Sequence, residues 1–129
     1  MILLDTHIWI WWVNEDQQLP LKQKHLLQQH VQTGLGVSII SCWEIAKLVE
    51  KGRMQFTIST KEWLDVALAY PGVRLLDLTP TIAIESTQLP GEFHQDPADQ
   101  IIVATARVWQ IPLMTLDSKI LKYVHVKTI

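Results

Sequence analysis

The sequence contains one cysteine, Cys42, so it can form no internal disulfide and offers no thiolate set for a zinc site. A reducing compartment is the expected setting. No run reaches the roughly 18 apolar residues that a membrane-crossing helix requires, and Asp5 and His7 interrupt the first ten residues, where a signal peptide would be apolar. The reading is a cytosolic chain with no membrane segment. Positive charge is not in excess either, since 11 Lys and Arg stand against 13 Asp and Glu, a net charge of −2. Nucleic-acid-binding proteins usually carry a basic field, so any hold on RNA has to come from local cations or metal ions. Repeats, linkers and low-complexity stretches are also missing. What is present is ample core material: 48% of the 129 residues are hydrophobic and 19% are charged, which excludes disorder and fits one domain spanning 1–129.

Patterning along the chain alternates short apolar runs with helical stretches. Met1 to Leu4 is expected to be a buried strand ending at Asp5, followed by a Trp-rich helix from His7 to Val13. A second helix is expected from Pro20 to about Thr33, closed by Gly34 and Gly36, then a strand from Val37 to Ile40 and a helix from Ser41 to Gly52. Thr60 to Tyr70 reads as a helix with Trp63, Val66, Ala67 and Tyr70 on its apolar face, ended by Pro71 and Gly72. Next come a strand from Val73 to Leu78, a helix capped by Thr79 and Pro80, and a loop from Pro90 to Gln95. Asp96-Pro97-Ala98-Asp99 opens a deeply buried helix reaching Trp109; Leu113 to Leu116 is a strand, Asp117 to Tyr123 a short helix and Val126 to Ile129 a last strand. Continuous apolar strands alternating with helices imply an α/β fold, a mostly parallel sheet covered on both faces. Ligands bind such sheets at the carboxyl ends of the strands.

Four carboxylates fall at that edge: Asp5 ending strand one, Glu44 in the turn after strand two, Asp99 in the first turn of the buried helix, and Asp117 ending strand four. Acids gathered in one place repel unless a cation or a proton intervenes, and an all-oxygen donor set suits Mg²⁺ or Mn²⁺. Sites of that kind polarise phosphates and acidify bound water, the chemistry of phosphodiester hydrolysis. Each acid also has a plain structural reading. Ser41 and Glu44 match a capping box, Asp96 and Asp99 match an N-cap and a favourable charge on a helix dipole, and Asp117 can cap the helix that follows it. Asp5, at the end of an apolar strand, has no evident structural task.

Met1-Ile2-Leu3-Leu4-Asp5-Thr6-His7, Ser41-x-Trp43-Glu44-Ile45, His94-x-Asp96-Pro97-x-Asp99 and Leu116-Asp117 resemble, in order and over nearly the whole chain, the acidic motifs of PIN-domain nucleases, and especially VapC-type toxins of toxin–antitoxin pairs. The resemblance implies a three-layer α/β/α sandwich in which Asp5, Glu44, Asp99 and Asp117 surround Mg²⁺, Thr6 orients the first carboxylate and Asp96 is auxiliary. It further implies a metal-dependent endoribonuclease with an RNA substrate and a cognate antitoxin partner. Where that pattern continues with Arg after the second Asp, this chain has Gln100. Lys47, Lys51 and Arg53 follow Glu44 and are candidate phosphate contacts, with solvated surface as the plain alternative. His7 and His94 flank the acids with no assigned role. Trp9, Trp11 and Trp12 exceed what one core stripe needs, which points to a homodimer face or an antitoxin groove.

Rival readings fare worse. A haloacid-dehalogenase phosphatase needs a second Asp two residues after Asp5, where His7 stands, and a response-regulator receiver needs adjacent acids after strand one and a Lys after the last strand. A non-catalytic binding module of the same fold is the alternative from another class, and the presence of all four acids speaks against it.

Overall fold

The computed structural model describes residues 1–129. Strands β1 (Ile2–Leu4), β2 (Leu35–Ser38), β3 (Val73–Leu76) and β4 (Leu113–Met114) form one parallel sheet in the order β3-β2-β1-β4. Helices α1 (Thr6–Val13) and α2 (Leu21–His30) join β1 to β2, and α3 (Ile39–Glu50) and α4 (Thr60–Leu68) join β2 to β3. Helices α5 (Pro80–Ser86) and α6 (Pro97–Trp109) then lead to β4, and α7 (Ser118–Leu121) follows it.

The strand period of two sorts the core into two layers. Ile2, Leu4, Leu35, Val37 and Met114 face one cluster with Ile8, Trp9, Ile45 and Trp63 from α1, α3 and α4. Leu3 and Leu113 face the other, with Ile102, Val103 and Ala106 of α6 and Ile120 of α7. Both faces of the sheet are therefore covered by helices, which makes the expected three-layer α/β/α sandwich. No helix is long and apolar enough to cross a membrane.

Several boundaries differ from the sequence expectation, each for a local reason. β2 ends at Ser38 instead of Ile40, because the Ser38 hydroxyl accepts from the Ile40 N–H at 3.1 Å and starts α3 at Ile39. That cap, worth about 1 kcal/mol, outweighs the strand preference of two β-branched residues. Gly36 lies within β2 and does not close α2, which stops at His30. Gly72, as expected, turns the chain after α4: its φ is +83° and an added Cβ would meet Val31 O at 2.5 Å. Val66 is exposed, and the apolar face of α4 is Trp63 and Ala67, with Leu64 and Leu68 half-buried beside them. β4 is two residues long, and the expected last strand is a single parallel bridge from Thr128 to Leu113. The tryptophans of α1 are also better absorbed than expected. Trp9 is fully buried, Trp11 and Trp12 pack against the first cluster, and the exposed tryptophans are Trp43 and Trp109.

Candidate active site

In a sheet ordered β3-β2-β1-β4, the chain winds outward from β1 to β3 and then returns to the other side of β1. The crevice at the carboxyl ends of β1 and β4 is the switch point where such sheets bind ligands. The register pairs Leu4 with Met114, so the next residues, Asp5 and Thr115, fall opposite each other. Asp5 is 7% exposed. Its Oδ1 accepts from the Thr6 N–H at 2.8 Å and its Oδ2 from the Thr115 hydroxyl at 2.7 Å. Thr115 Oγ1 in turn accepts from the Asp117 N–H at 3.0 Å. Asp5 thus does have a structural task, as the N-cap of α1. Burial pushes its carboxyl above the usual range, against the pull of the Thr115 and Thr6 hydrogen bonds.

Glu44 comes from α3, where the start of the helix at Ile39 puts Ser41 inside the first turn and removes the expected capping box. Ser41 is fully buried and its hydroxyl lies 2.8 Å from Thr6 Oγ1. Thr6 donates its one hydroxyl hydrogen to Glu44 Oε1 at 2.5 Å, so Ser41 is the donor to Thr6. Thr6 therefore orients Asp5 through its N–H, as expected, and Glu44 through its hydroxyl, while Thr115 holds the other oxygen of Asp5. Burial raises Glu44 to about 6, with Asp5 and Asp96 adding to the rise and the Thr6 hydrogen bond opposing it.

The N-terminus of α6 supplies two more acids. Asp96 is the N-cap, its Oδ1 accepting from the Asp99 N–H at 3.1 Å, with Pro97 at the first helical position. Asp99 is pushed up to about 7, first by burial and then by the charges of Asp5, Asp96, Glu44 and Asp117. His94 Nε2 lies 3.0 Å from Asp99 Oδ2, off the line of a hydrogen bond. Gln100, at the position where the motif has Arg, donates to His94 O at 3.1 Å and so ties down the loop before α6. Asp117 caps α7, accepting from Lys119 and Ile120 N–H at 2.8 and 3.2 Å.

Asp5, Glu44, Asp96, Asp99 and Asp117 line one cleft of about 340 Å³ together with His7, Ile8, Trp11 and Leu116. No lysine or arginine lines it, so the charge of the ionised acids calls for a proton or for a cation from solution. All five acids offer hard oxygen donors, which fit Mg²⁺ or Mn²⁺. They are spread around the walls, and no three are gathered into a finished chelate; it is the chemistry of the donors, more than ready-made geometry, that fits the ion. A larger hollow of about 420 Å³ lies between α6 and the last residues of the chain; Arg107, His125 and Lys127 line it, Arg107 is paired with Glu85 at 2.9 Å, and it holds no cluster of acids. The acidic cleft is the site with chemistry. Lys47, Lys51 and Arg53 lie outside it, in an adjoining hollow that shares Glu44 and Asp96.

Comparison with known proteins gives the family and the fold. The PIN domain family matches residues 2–126. The chain belongs to the PIN-domain family. Among curated relatives, ribonuclease VapC22 of Mycobacterium tuberculosis is 34% identical over 124 residues, which cover 96% of this chain and 92% of that protein. Two solved structures share the PIN fold at 18% identity. VapBC2 from Rickettsia felis bound to a promoter DNA fragment has a TM-score of 0.75, covering 100% of this chain and 98% of that one. DNA-bound VapBC from Salmonella typhimurium has a TM-score of 0.73, covering 99% and 96%.

Sequence reasoning gave Thr115 no role in this PIN-domain site, read Ser41 as a cap, and left Trp43, in the adjoining hollow, without a role. Thr115 was within reach, because aligning the ends of two parallel strands places it opposite Asp5. Ser41 was hidden by a helix start placed two residues late. For Trp43 the sequence carries no signal of exposure, since a tryptophan beside an apolar run is ordinarily core.

Proposed function

We propose that this PIN-domain chain is a divalent-cation-dependent endoribonuclease and the toxin of a toxin–antitoxin pair. The observation that carries the reading is the convergence of five carboxylates on a cleft lined by no lysine or arginine. Asp5, Glu44, Asp99 and Asp117 would hold Mg²⁺, or Mn²⁺ in its place, and Asp96 serves as an auxiliary acid and helix cap. When bound, the ion would supply positive charge to a phosphate and acidify a water. The chain's own contribution is positional. Thr115 and the Thr6 N–H fix the Asp5 carboxylate, while Ser41 and the Thr6 hydroxyl fix that of Glu44. Glu44, Lys47 and Lys51 fall three and four residues apart on one stripe of α3, so cations lead away from the cleft along the helix, with Arg53 just beyond, to meet RNA phosphates.

The relative's name supports RNA as the substrate, and the VapBC neighbours support an antitoxin partner. Self-association as a homodimer belongs to the same reading; the exposed apolar side chains Ile39, Leu75 and Leu78 beside the edge strand β3 support it. Cleavage of RNA by the purified chain, freed of any partner, with Mg²⁺ or with EDTA, is the test. Cutting that needs Mg²⁺ or Mn²⁺ and stops on adding the partner is expected. No cutting with either ion, or cutting that persists in EDTA, would refute it.

A further inference from the structure

Helix α3 holds a large aromatic ring in solvent beside the acidic cleft. Trp43 is 53% exposed, although its neighbours Ser41 and Ile45 are fully buried. The ring lines a hollow of about 230 Å³ with Lys47, Lys51, Arg53, Leu48 and Pro97, and Glu44 and Asp96 belong to this hollow and to the acidic cleft alike. Lys47 Nζ is 5.8 Å from the centre of the Trp43 ring and 2.9 Å from Glu50 Oε1. A flat exposed ring among three cations, opening directly onto a phosphodiester site, matches the two halves of a nucleotide. The base has a π-face for the indole, and the phosphates have charge for the cations.

We infer that Trp43 is a stacking platform for a nucleobase of single-stranded RNA next to the scissile phosphate, with Lys47, Lys51 and Arg53 holding the adjoining phosphates. This rests on the ribonuclease reading above. A protein partner seated on the ring would have to desolvate three cations and two carboxylates, at a cost unless each is paired. An RNA strand instead brings phosphates to Lys51 and Arg53, which have no carboxylate partner, and to Lys47, which can exchange its exposed contact with Glu50, and leaves the cations hydrated. Stacking reads the area of a base and not its hydrogen-bonding edge, so the platform sets where the strand lies and favours a purine at that position.

The test is steady-state cleavage, by the full chain with Mg²⁺, of a short RNA in which one abasic nucleotide is moved along both sides of the cut. In the parent, an abasic nucleotide at one position beside the cut should raise KM on the order of tenfold. Trp43→Leu, which keeps apolar bulk without a ring, should raise KM for intact RNA by a similar factor and lose its sensitivity to the abasic nucleotide there. Trp43→Phe should restore most of both. This non-additivity is the signature of direct contact, and folding of each variant is checked by its melting temperature. Equal abasic profiles in parent and Trp43→Leu overturn the inference while the nuclease reading stands. So does a Trp43→Leu chain that keeps its RNA kinetics but loses inhibition by the protein partner, which would make the ring a protein contact. A parent that cleaves no RNA overturns both readings.

Discussion

Two hollows share a wall made by Glu44 and Asp96, and their chemistry is opposite. One gathers five carboxylates and no lysine or arginine; the other gathers Lys47, Lys51 and Arg53 around an exposed tryptophan. A net charge of −2 averages these regions into a chain that looks indifferent to nucleic acid. Segregation weakens that objection, because a phosphate on the basic hollow meets Lys47, Lys51 and Arg53 directly and charges farther than about a Debye length, roughly 10 Å, are screened, while a bound cation would offset the adjoining carboxylates. The comparison also assigns different work to each side: the acidic hollow should set the rate, and the basic one should set affinity.

The largest expected effect is therefore on the acidic side. Asp5→Asn should lower kcat by a hundredfold or more, a size typical of losing an electrostatic contributor in an active site. Its melting temperature should hold, because Asn also serves as an N-cap. Full activity in the folded variant would remove Asp5 from the site. Glu44→Gln comes next, with cleavage slower by on the order of a hundredfold and weaker Mg²⁺ dependence; parental kinetics would leave Glu44 with no catalytic role. On the basic side, Lys47→Ala and Lys51→Ala should raise KM by only a few-fold, with kcat held, and each should reduce the salt dependence of binding by about one charge. An effect on kcat from either lysine would erase the division between the hollows.

Much of this was legible in the sequence, and the reasons are physical. Continuous apolar strands alternating with helices fixed the layers, since only a sheet covered on both faces buries such strands. Thr79-Pro80 and Asp96-Pro97 marked two helix starts without error, because proline at the first helical position has few alternatives. The start of α3 misled because two serines stand three apart and either could cap. Choosing Ser41 turned a buried hydroxyl relay into a capping box and hid the second task of Thr6, whose N–H holds Asp5 while its hydroxyl holds Glu44. The smallest predicted effect concerns this point. Ser38→Ala should cost about 1 kcal/mol of stability with cleavage retained, and a melting temperature equal to the parent's would return the cap to Ser41.

That burial and mutual repulsion of the carboxylates together create the need for a cation is the central claim, and the melting temperature of Asp99→Asn relative to the parent, followed across pH in EDTA and in Mg²⁺, tests it most directly. Asp99 has a folded pKa of about 7, above its unfolded value of about 4. Between those values the unfolded chain has already lost a proton that the folded chain keeps, so the parent loses stability as pH rises. Asn does not titrate. In EDTA the advantage of Asp99→Asn should thus be small near pH 4, widen up to about pH 7 and level off above. At pH 7.5, Mg²⁺ should raise the melting temperature of the parent and close that gap, because an ion that binds only the folded chain stabilises it. A gap that does not change with pH, together with a parent that Mg²⁺ leaves unmoved, would contradict the account.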